Sequence, residues 1–236
     1  MSISRFLKTG EGKNILSKEE IHHIQKVLRL KSADKIKIFD GKGEEILVEI
    51  INFKPYFDYN ILNTSSQENK LPRIKLTLAS IKPKNLELIL EKVTELGVDK
   101  IIITKTKYSQ ISLNILEEKK LRFQKILIEA CKQSGNNYIP ELEFIDMMNI
   151  PNHLSDINYI ATTQYTNNPI LLKSPEGNLK EKSYNLLIGP EGGFEQKEYQ
   201  DLIKYFIPVT FSNNILRVET ASILGIGILS QAKIHI

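Results

Sequence analysis

Apolar residues recur along the chain with two periods, and the places where the pattern fails mark its joints. Between Ser17 and Leu30, Ile21, Ile24 and Leu28 fall on one face at helical spacing, while His22, Lys26 and Arg29 share another. Ser17 is placed to cap this helix, with Glu20 three residues on as the other half of a capping box. The runs IKIFD and EEILVEII flank Asp40-Gly41-Lys42-Gly43, which predicts a hairpin. Asn63 to Lys70 (NTSSQENK) is polar, lacks apolar periodicity and precedes Pro72, so it reads as a linker. The pattern predicts a small β-barrel-like domain with one helix over residues 1–70 and a second domain over 71–236.

Beyond the linker, strands and helices alternate. Ile74 to Ser80 predicts a strand, and Leu86, Ile89, Leu90, Val93 and Leu96 form a helical stripe that Gly97 ends. Lys100 to Thr104 (KIIIT) predicts a buried strand, and Glu117 to Ser134 a second helix. Further strands are expected at Ile157–Thr163, Tyr184–Ile188 and Ile207–Phe211, with a helix near Glu195–Tyr205 between the last two. Such alternation predicts an α/β domain with a mostly parallel sheet covered by helices. The last segment, Glu219 to Lys233, mixes Ala221, Ser222, Gly225 and Gly227 with apolar residues on nearly every face. A helix of that kind is buried all round. Its two glycines cost roughly 1 kcal/mol each, which packing must offset. It reads either as a central core helix or as one shared between the core and a dimer interface.

Composition narrows the class. With 236 residues, 41% hydrophobic and 25% charged, wholesale disorder is excluded. No apolar run suffices to cross a bilayer, and the opening MSISRFLKTGEGKN has no signal-peptide core. The single cysteine, Cys131, rules out an internal disulfide framework and suits a reducing compartment, so a cytoplasmic protein without a membrane partner is expected. The net charge of +4 divides evenly between residues 1–70 and the remainder, and only five of the 32 basic residues are arginines. That permits nucleic-acid binding without demanding it.

Two segments carry candidate chemistry. In LLIGPEGGF (Leu186–Phe194) a buried strand stops at Gly189-Pro190, and two glycines follow before a helix. Open α/β sheets bind ligands at such strand ends. No Gly-Lys-Ser/Thr follows, the dinucleotide pattern is absent, and Glu191 would repel phosphate. Read alone, the segment fits either a plain structural turn or a cofactor loop. In ILRVETA (Ile215–Ala221), Arg217 and Glu219 stand at the threshold of the apolar helix, either as an ion pair or as anchors for a substrate or loop. The four histidines are too scattered for a metal site: His22 and His23 point apart, while His153 and His235 stand alone.

These motifs, in this order and spacing, resemble the ribosomal RNA small subunit methyltransferase E family, a branch of the SPOUT methyltransferases. The resemblance spans essentially the whole chain: Ser4-Arg5-Phe6, HHIQKVLRL with IKIFDGKG, ILEKVTELGVDKI, EACKQSGNNYIPEL, LLIGPEGGF and ILRVETA. It implies an N-terminal PUA-like β-barrel that grips RNA, and a SPOUT-type parallel sheet whose chain end forms a C-terminal trefoil knot. It further implies a homodimer that uses S-adenosyl-L-methionine to methylate N3 of a uridine in 16S rRNA of the small ribosomal subunit. By position, Leu187, Ile188, Gly189, Glu191, Gly192, Ile215, Leu216 and Thr220 are expected to line the cofactor pocket, joined by Thr163 and Gln164. Arg217 is expected to stabilise charge on the uracil oxygens, Glu219 to orient it or act as base, and Gln133 to bond the base edge. RNA contacts are expected from His22, Lys26 and Arg29, and from Arg5. No metal is expected, and Cys131 reads as structural rather than as a nucleophile for C5 chemistry.

The chain departs from the family at Tyr108, Asn136 and Asn214, where arginine is usual; Lys105, Lys107 and Lys132 replace some of that charge but not its forked geometry. Two rival readings remain: a SPOUT methyltransferase for transfer RNA or another ribosomal site, and a non-catalytic RNA-binding or assembly factor.

Overall fold

The hairpin around Gly41 forms as the pattern predicts. Strand β2 (Lys35–Phe39) pairs antiparallel with β3 (Glu44–Asn52), and the Asp40 carboxylate closes the turn by accepting from Lys42 N at 2.7 Å and Glu44 N at 2.9 Å. The computed structural model describes residues 3–68, 72–162 and 182–233. The chain forms two compact units, Met1–Asn69 with Ile128–Ile139, and Lys70–Leu127 with Pro140–Ile236.

In the first unit β1 (Arg5–Leu7) and β4 (Asp58–Ser66) complete a sheet of order β1-β2-β3-β4, with β1 parallel to β2 and the other pairs antiparallel. Period-two alternation turns Ile36, Ile38, Ile46, Val48 and Ile50 inward onto Phe6, Ile24 and Phe57. The expected linker begins too early: Asn63–Ser66 is the end of β4, paired with β3 from Leu47 to Glu44. An edge strand exposed on both faces needs no apolar alternation, so its polar sequence hid it.

Ser17 caps α1 (Lys18–His22), accepting from Glu20 N at 3.1 Å, but the Glu20 carboxylate turns to Lys132 instead of closing a capping box. The helix then widens into a π turn over His23–Val27, closed by Leu28 N donating to His23 O at 3.0 Å. This shifts the register: Ile24 is buried and Ile21 packs on the core, but Leu28 is 37% exposed and leaves the predicted stripe.

The second unit contains β5 (Ile74–Ala79), α2 (Pro83–Glu95), β6 (Lys100–Lys105), α3 (Leu113–Glu117) and β7 (Glu141–Asp146). Helix α4 (Lys120–Ser134) starts in it and passes into the first unit at Ile128. Then come β8 (Ile157–Ala161), β9 (Tyr184–Ile188), α5 (Gln196–Leu202), β10 (Ile207–Val209) and α6 (Val218–Ser230). The six strands form one parallel sheet of order β10-β8-β9-β5-β6-β7. Strand β7 is not among the predicted elements; Lys100 reaches across to both its Glu141 (3.2 Å) and its Glu143 (2.8 Å). Strand β10 ends two residues before its predicted limit because Thr210 Oγ1 donates to Ser212 O and Ser212 Oγ accepts from Asn214 N, bending the chain.

Helix α2 buries Leu86, Ile89, Leu90 and Val93 as expected, and α6 packs against α2, β5 and β9. The prediction that α6 is buried all round fails on one side, where Leu224 is 39% exposed. No helix among the described residues is long and apolar enough to cross a membrane.

Candidate functional site

Because the sheet is parallel, its strands all end at one edge. Pairing of Val209 with Ala161, and of Ile160 with Leu187, sets the exits of β10, β8 and β9 at about the same level. From that edge the chain runs from β9 into 189–194 and from β10 into 210–217. Gly225 of α6 joins the two. A Cβ there would run into the Leu186 side chain of β9 and come within 2.7 Å of the Phe211 ring, at the head of the second segment. Only a glycine lets the helix lie this close to both.

The first segment is a fixed turn. Gly193 N donates to Pro190 O at 2.9 Å, which leaves Glu191 and Gly192 at the exposed tip. Gly193 has φ of 70°, a left-handed backbone that disfavours other residues. Phe194 folds back beneath Gly189, where an added Cβ would sit 2.8 Å from the ring, and packs with Leu187, Ile160 and Leu202. Glu195 then caps α5 in a reciprocal box with Glu198.

The segment after β6 is tied to this turn, a link the sequence analysis did not anticipate. Lys107 N donates to Glu198 Oε1 at 2.7 Å, and Lys107 Nζ reaches Glu195 Oε1 at 3.1 Å. Next to it Tyr108 lies across Gly192, its Cβ 3.2 Å from where a Cβ at Gly192 would stand. The spacing Glu195-x-x-Glu198 was a visible signal for the cap, but nothing in the sequence announced Lys107 as its partner.

Of the predicted cofactor residues, Leu187 and Ile188 are buried at the end of β9, Gly189 and Leu216 are half-buried, and Glu191, Gly192 and Thr220 are exposed. Ile215 is 84% exposed. Thr163 and Gln164 lie outside the described residues. Arg217 is the exposed N-cap residue of α6, its carbonyl accepting from Ala221 N at 2.9 Å, and the half-buried Glu219 stands in the first turn, where a carboxylate favours the helix dipole.

Gln133 is exposed in the last turn of α4, in the first unit. His22, Lys26 and Arg29 are exposed on that unit too, with Arg29 in a left-handed conformation (φ 56°) that ends the π turn. Arg5 does not share their exposure. Its side chain is 8% exposed; Nε donates to Glu45 at 2.8 Å, Nη1 to Cys131 O and Nη2 to the Asn137 side chain, and the guanidinium lies 4.6 Å from the Phe39 ring centroid. The expected RNA contact gives way to an internal clamp, since every guanidinium nitrogen is engaged. Cys131 is buried, and burial pushes its thiol up to about 12, with Arg5 pulling weakly the other way.

A hollow of about 420 Å³ lies between the turn at Met147–Pro151 and α5, but it contains none of the predicted cofactor residues. Among the described residues no group of three or more His, Cys, Asp or Glu is arranged to hold a metal ion.

Residues 67–230 match the model of an RNA methyltransferase domain, and residues 16–55 that of an RNA methyltransferase PUA domain. The ribosomal RNA small subunit methyltransferase E of Buchnera aphidicola subsp. Schizaphis graminum is 32% identical over 223 residues, covering 89% of this chain and 87% of the relative. Ribosomal RNA small subunit methyltransferase E 2 of Borreliella burgdorferi is 31% identical over 221 residues, with coverages of 87% and 85%. Among solved structures, a Legionella pneumophila protein in complex with the cofactor SAM superposes with a TM-score of 0.83 at 26% identity, each chain 98% covered. The order of motifs, the parallel sheet and these matches agree: the chain belongs to the ribosomal RNA small subunit methyltransferase E family.

Proposed function

We propose that the protein transfers a methyl group from S-adenosyl-L-methionine to N3 of a uridine in 16S rRNA of the small ribosomal subunit. The observation that carries this reading is the convergence of β9 and the 210–217 segment on Gly225, which brings the GPEGG turn and the Arg217 segment out of one edge of the parallel sheet.

The residues at that edge fit the cofactor. It has no phosphate, and the turn has no phosphate cradle but an exposed acid, Glu191. Glu191 suits a ligand bearing a sulfonium and an ammonium. Exposed Ile215 and half-buried Leu216 supply apolar surface for an adenine ring, while backbone groups at the end of Leu187–Gly189 serve its polar edge. Thr220 and the first turn of α6 suit the cofactor's carboxylate. Thr163 and Gln164 complete the proposed set.

When bound, the cofactor supplies a methyl group already activated by its positive sulfur. The chain must then align the acceptor and manage its proton. The lone pair of uracil N3 becomes available as its proton leaves and negative charge spreads onto O2 and O4. Arg217, a forked cation beside Ile215 and Leu216, stabilises that charge. Glu219 orients Arg217 or accepts the proton. The RNA is held by His22, Lys26 and Arg29 on a PUA-like barrel. The C-terminal sheet is knotted as a trefoil, and the protein works in the cytoplasm as a homodimer whose exposed Leu224 side of α6 is shared between copies.

Two measurements test the reading together. Calorimetry should detect S-adenosyl-L-methionine binding to the purified protein, and its absence would overturn methyl transfer. Mass spectrometry of rRNA from a deletion strain should show loss of one methyluridine, restored by the wild-type gene but not by an Arg217→Ala variant. An unchanged methyluridine would overturn the ribosomal assignment.

A further inference from the structure

The chain presents one aromatic ring directly over the turn proposed to hold the cofactor. Tyr108 is 49% exposed, yet its root is anchored on both sides. On one side, buried Thr106 forms a closed turn with Ser109: Thr106 N donates to Ser109 Oγ at 3.1 Å, and Ser109 N to Thr106 O at 3.1 Å. On the other, Lys107 is bonded through its backbone to Glu198 and through its side chain to Glu195. The root and one edge of Tyr108 lie against Gly192, with Cβ, Cγ and Cδ2 at 3.2, 3.7 and 3.9 Å from the position of a Cβ there. A tyrosine on a fixed backbone has only two side-chain torsions to order on binding a flat partner.

The partner's chemistry follows from the reaction. N3 of a uracil stacked or paired in RNA is out of reach, so the nucleotide must be turned out of its stack and received by a surface of comparable shape. Aromatic side chains are the usual receivers of unstacked bases, because every base offers a π face. Exposed Lys105, three residues earlier, adds positive charge for the neighbouring backbone.

We propose that Tyr108 stacks on the extruded uracil and sets its position beside the GPEGG turn; this rests on the reading that the protein methylates a uridine. The test is steady-state kinetics on small ribosomal subunits from the deletion strain, alongside calorimetry with S-adenosyl-L-methionine. Tyr108→Ala and Tyr108→Leu should each raise KM for the subunits by roughly 5- to 150-fold, the range expected for a lost stacked base, with the cofactor's Kd and most of kcat retained. Tyr108→Phe should stay within about twofold of wild type, because the π face and not the hydroxyl is used. An unchanged KM in Tyr108→Ala refutes the proposal. A weakened cofactor Kd with KM for RNA unaltered also refutes it, since Tyr108 would then merely support the turn. Failure of the wild-type protein itself to methylate the subunits removes the proposal together with the function it rests on, an outcome the wild-type control identifies.

Discussion

Gly225 and Gly227 lie two residues apart in the same helix, and the fold predicts opposite responses to the same substitution. Each glycine costs a helix interior about 1 kcal/mol relative to alanine, so Gly→Ala gains about that much where the methyl group finds room. At Gly227 it does: the nearest neighbour beyond the helix is Leu96 Cδ1 at 3.9 Å, an ordinary contact. Gly227→Ala should therefore stabilise by about 1 kcal/mol. At Gly225 the methyl would overlap fully buried Leu186 and stand 2.7 and 3.2 Å from two Phe211 ring atoms. Overpacking of this kind costs about 1–3 kcal/mol. Taking about 2 kcal/mol and subtracting the propensity gain leaves Gly225→Ala less stable by about 1 kcal/mol. The variants should differ by about 2 kcal/mol, or about 4–8 °C in Tm for a protein of this size. Thermal unfolding by circular dichroism reads this directly. The strained variant should also bind S-adenosyl-L-methionine more weakly, because Leu186 leads straight into Leu187–Gly189. Equal rises in Tm for both variants would show that α6 does not rest on Leu186 and Phe211, and that β9 and the 210–217 segment do not converge on Gly225.

Three further outcomes are expected from the first unit. Burial pushes the Glu45 carboxyl up, but hydrogen bonds from Lys37 and Arg5 outweigh it and hold the group below its ordinary 4.5. Its stabilising contribution is thus present above that value and is lost as pH falls through the lowered one. Urea unfolding at a series of acidic pH values should show wild-type stability declining with a component that Glu45→Gln lacks; parallel profiles would discount the clamp. Cys131, its thiol raised to about 12, should resist iodoacetamide at pH 8 in the native protein and react after unfolding, as mass spectrometry can follow. Cys131→Ser should still methylate, whereas loss of activity in a folded variant would redirect the chemistry from N3 towards C5.

Much of the fold was legible because burial writes its own period. The stripe Leu86–Val93 and the run KIIIT each serve one buried face or strand, and the structure realises both. Elements held mainly by backbone pairing left no such trace, as in β4, which is exposed on both faces; β7 carries only one short alternation, Glu141 to Phe144, whose acids meet Lys100 from a neighbouring strand. The π turn after His22 was equally invisible, since one extra residue per turn changes which side chains line up without changing their type. At the candidate site the glycines of the GPEGG turn announced themselves. The bonds between Lys107 and Glu195 or Glu198 span some ninety positions, and local pattern has no access to such distances. The same holds for Arg5: the resemblance implied an RNA contact there, and only the folded neighbours Glu45, Cys131 and Asn137 show that its guanidinium is engaged inside the unit.

That interior arginine limits how the chain can be cut. Two of its three acceptor partners come from the 128–139 segment, and the same stretch supplies Tyr138, whose hydroxyl donates to Gln67 O and whose backbone bridges Lys42. A gene fragment stopping after residue 69 would encode a sheet with a buried cation stripped of most of its ligands. Such a fragment should be insoluble when expressed by itself. Exchange of this region between relatives should succeed only when both stretches travel together, so recombination has two places to keep in step where a contiguous domain would have one.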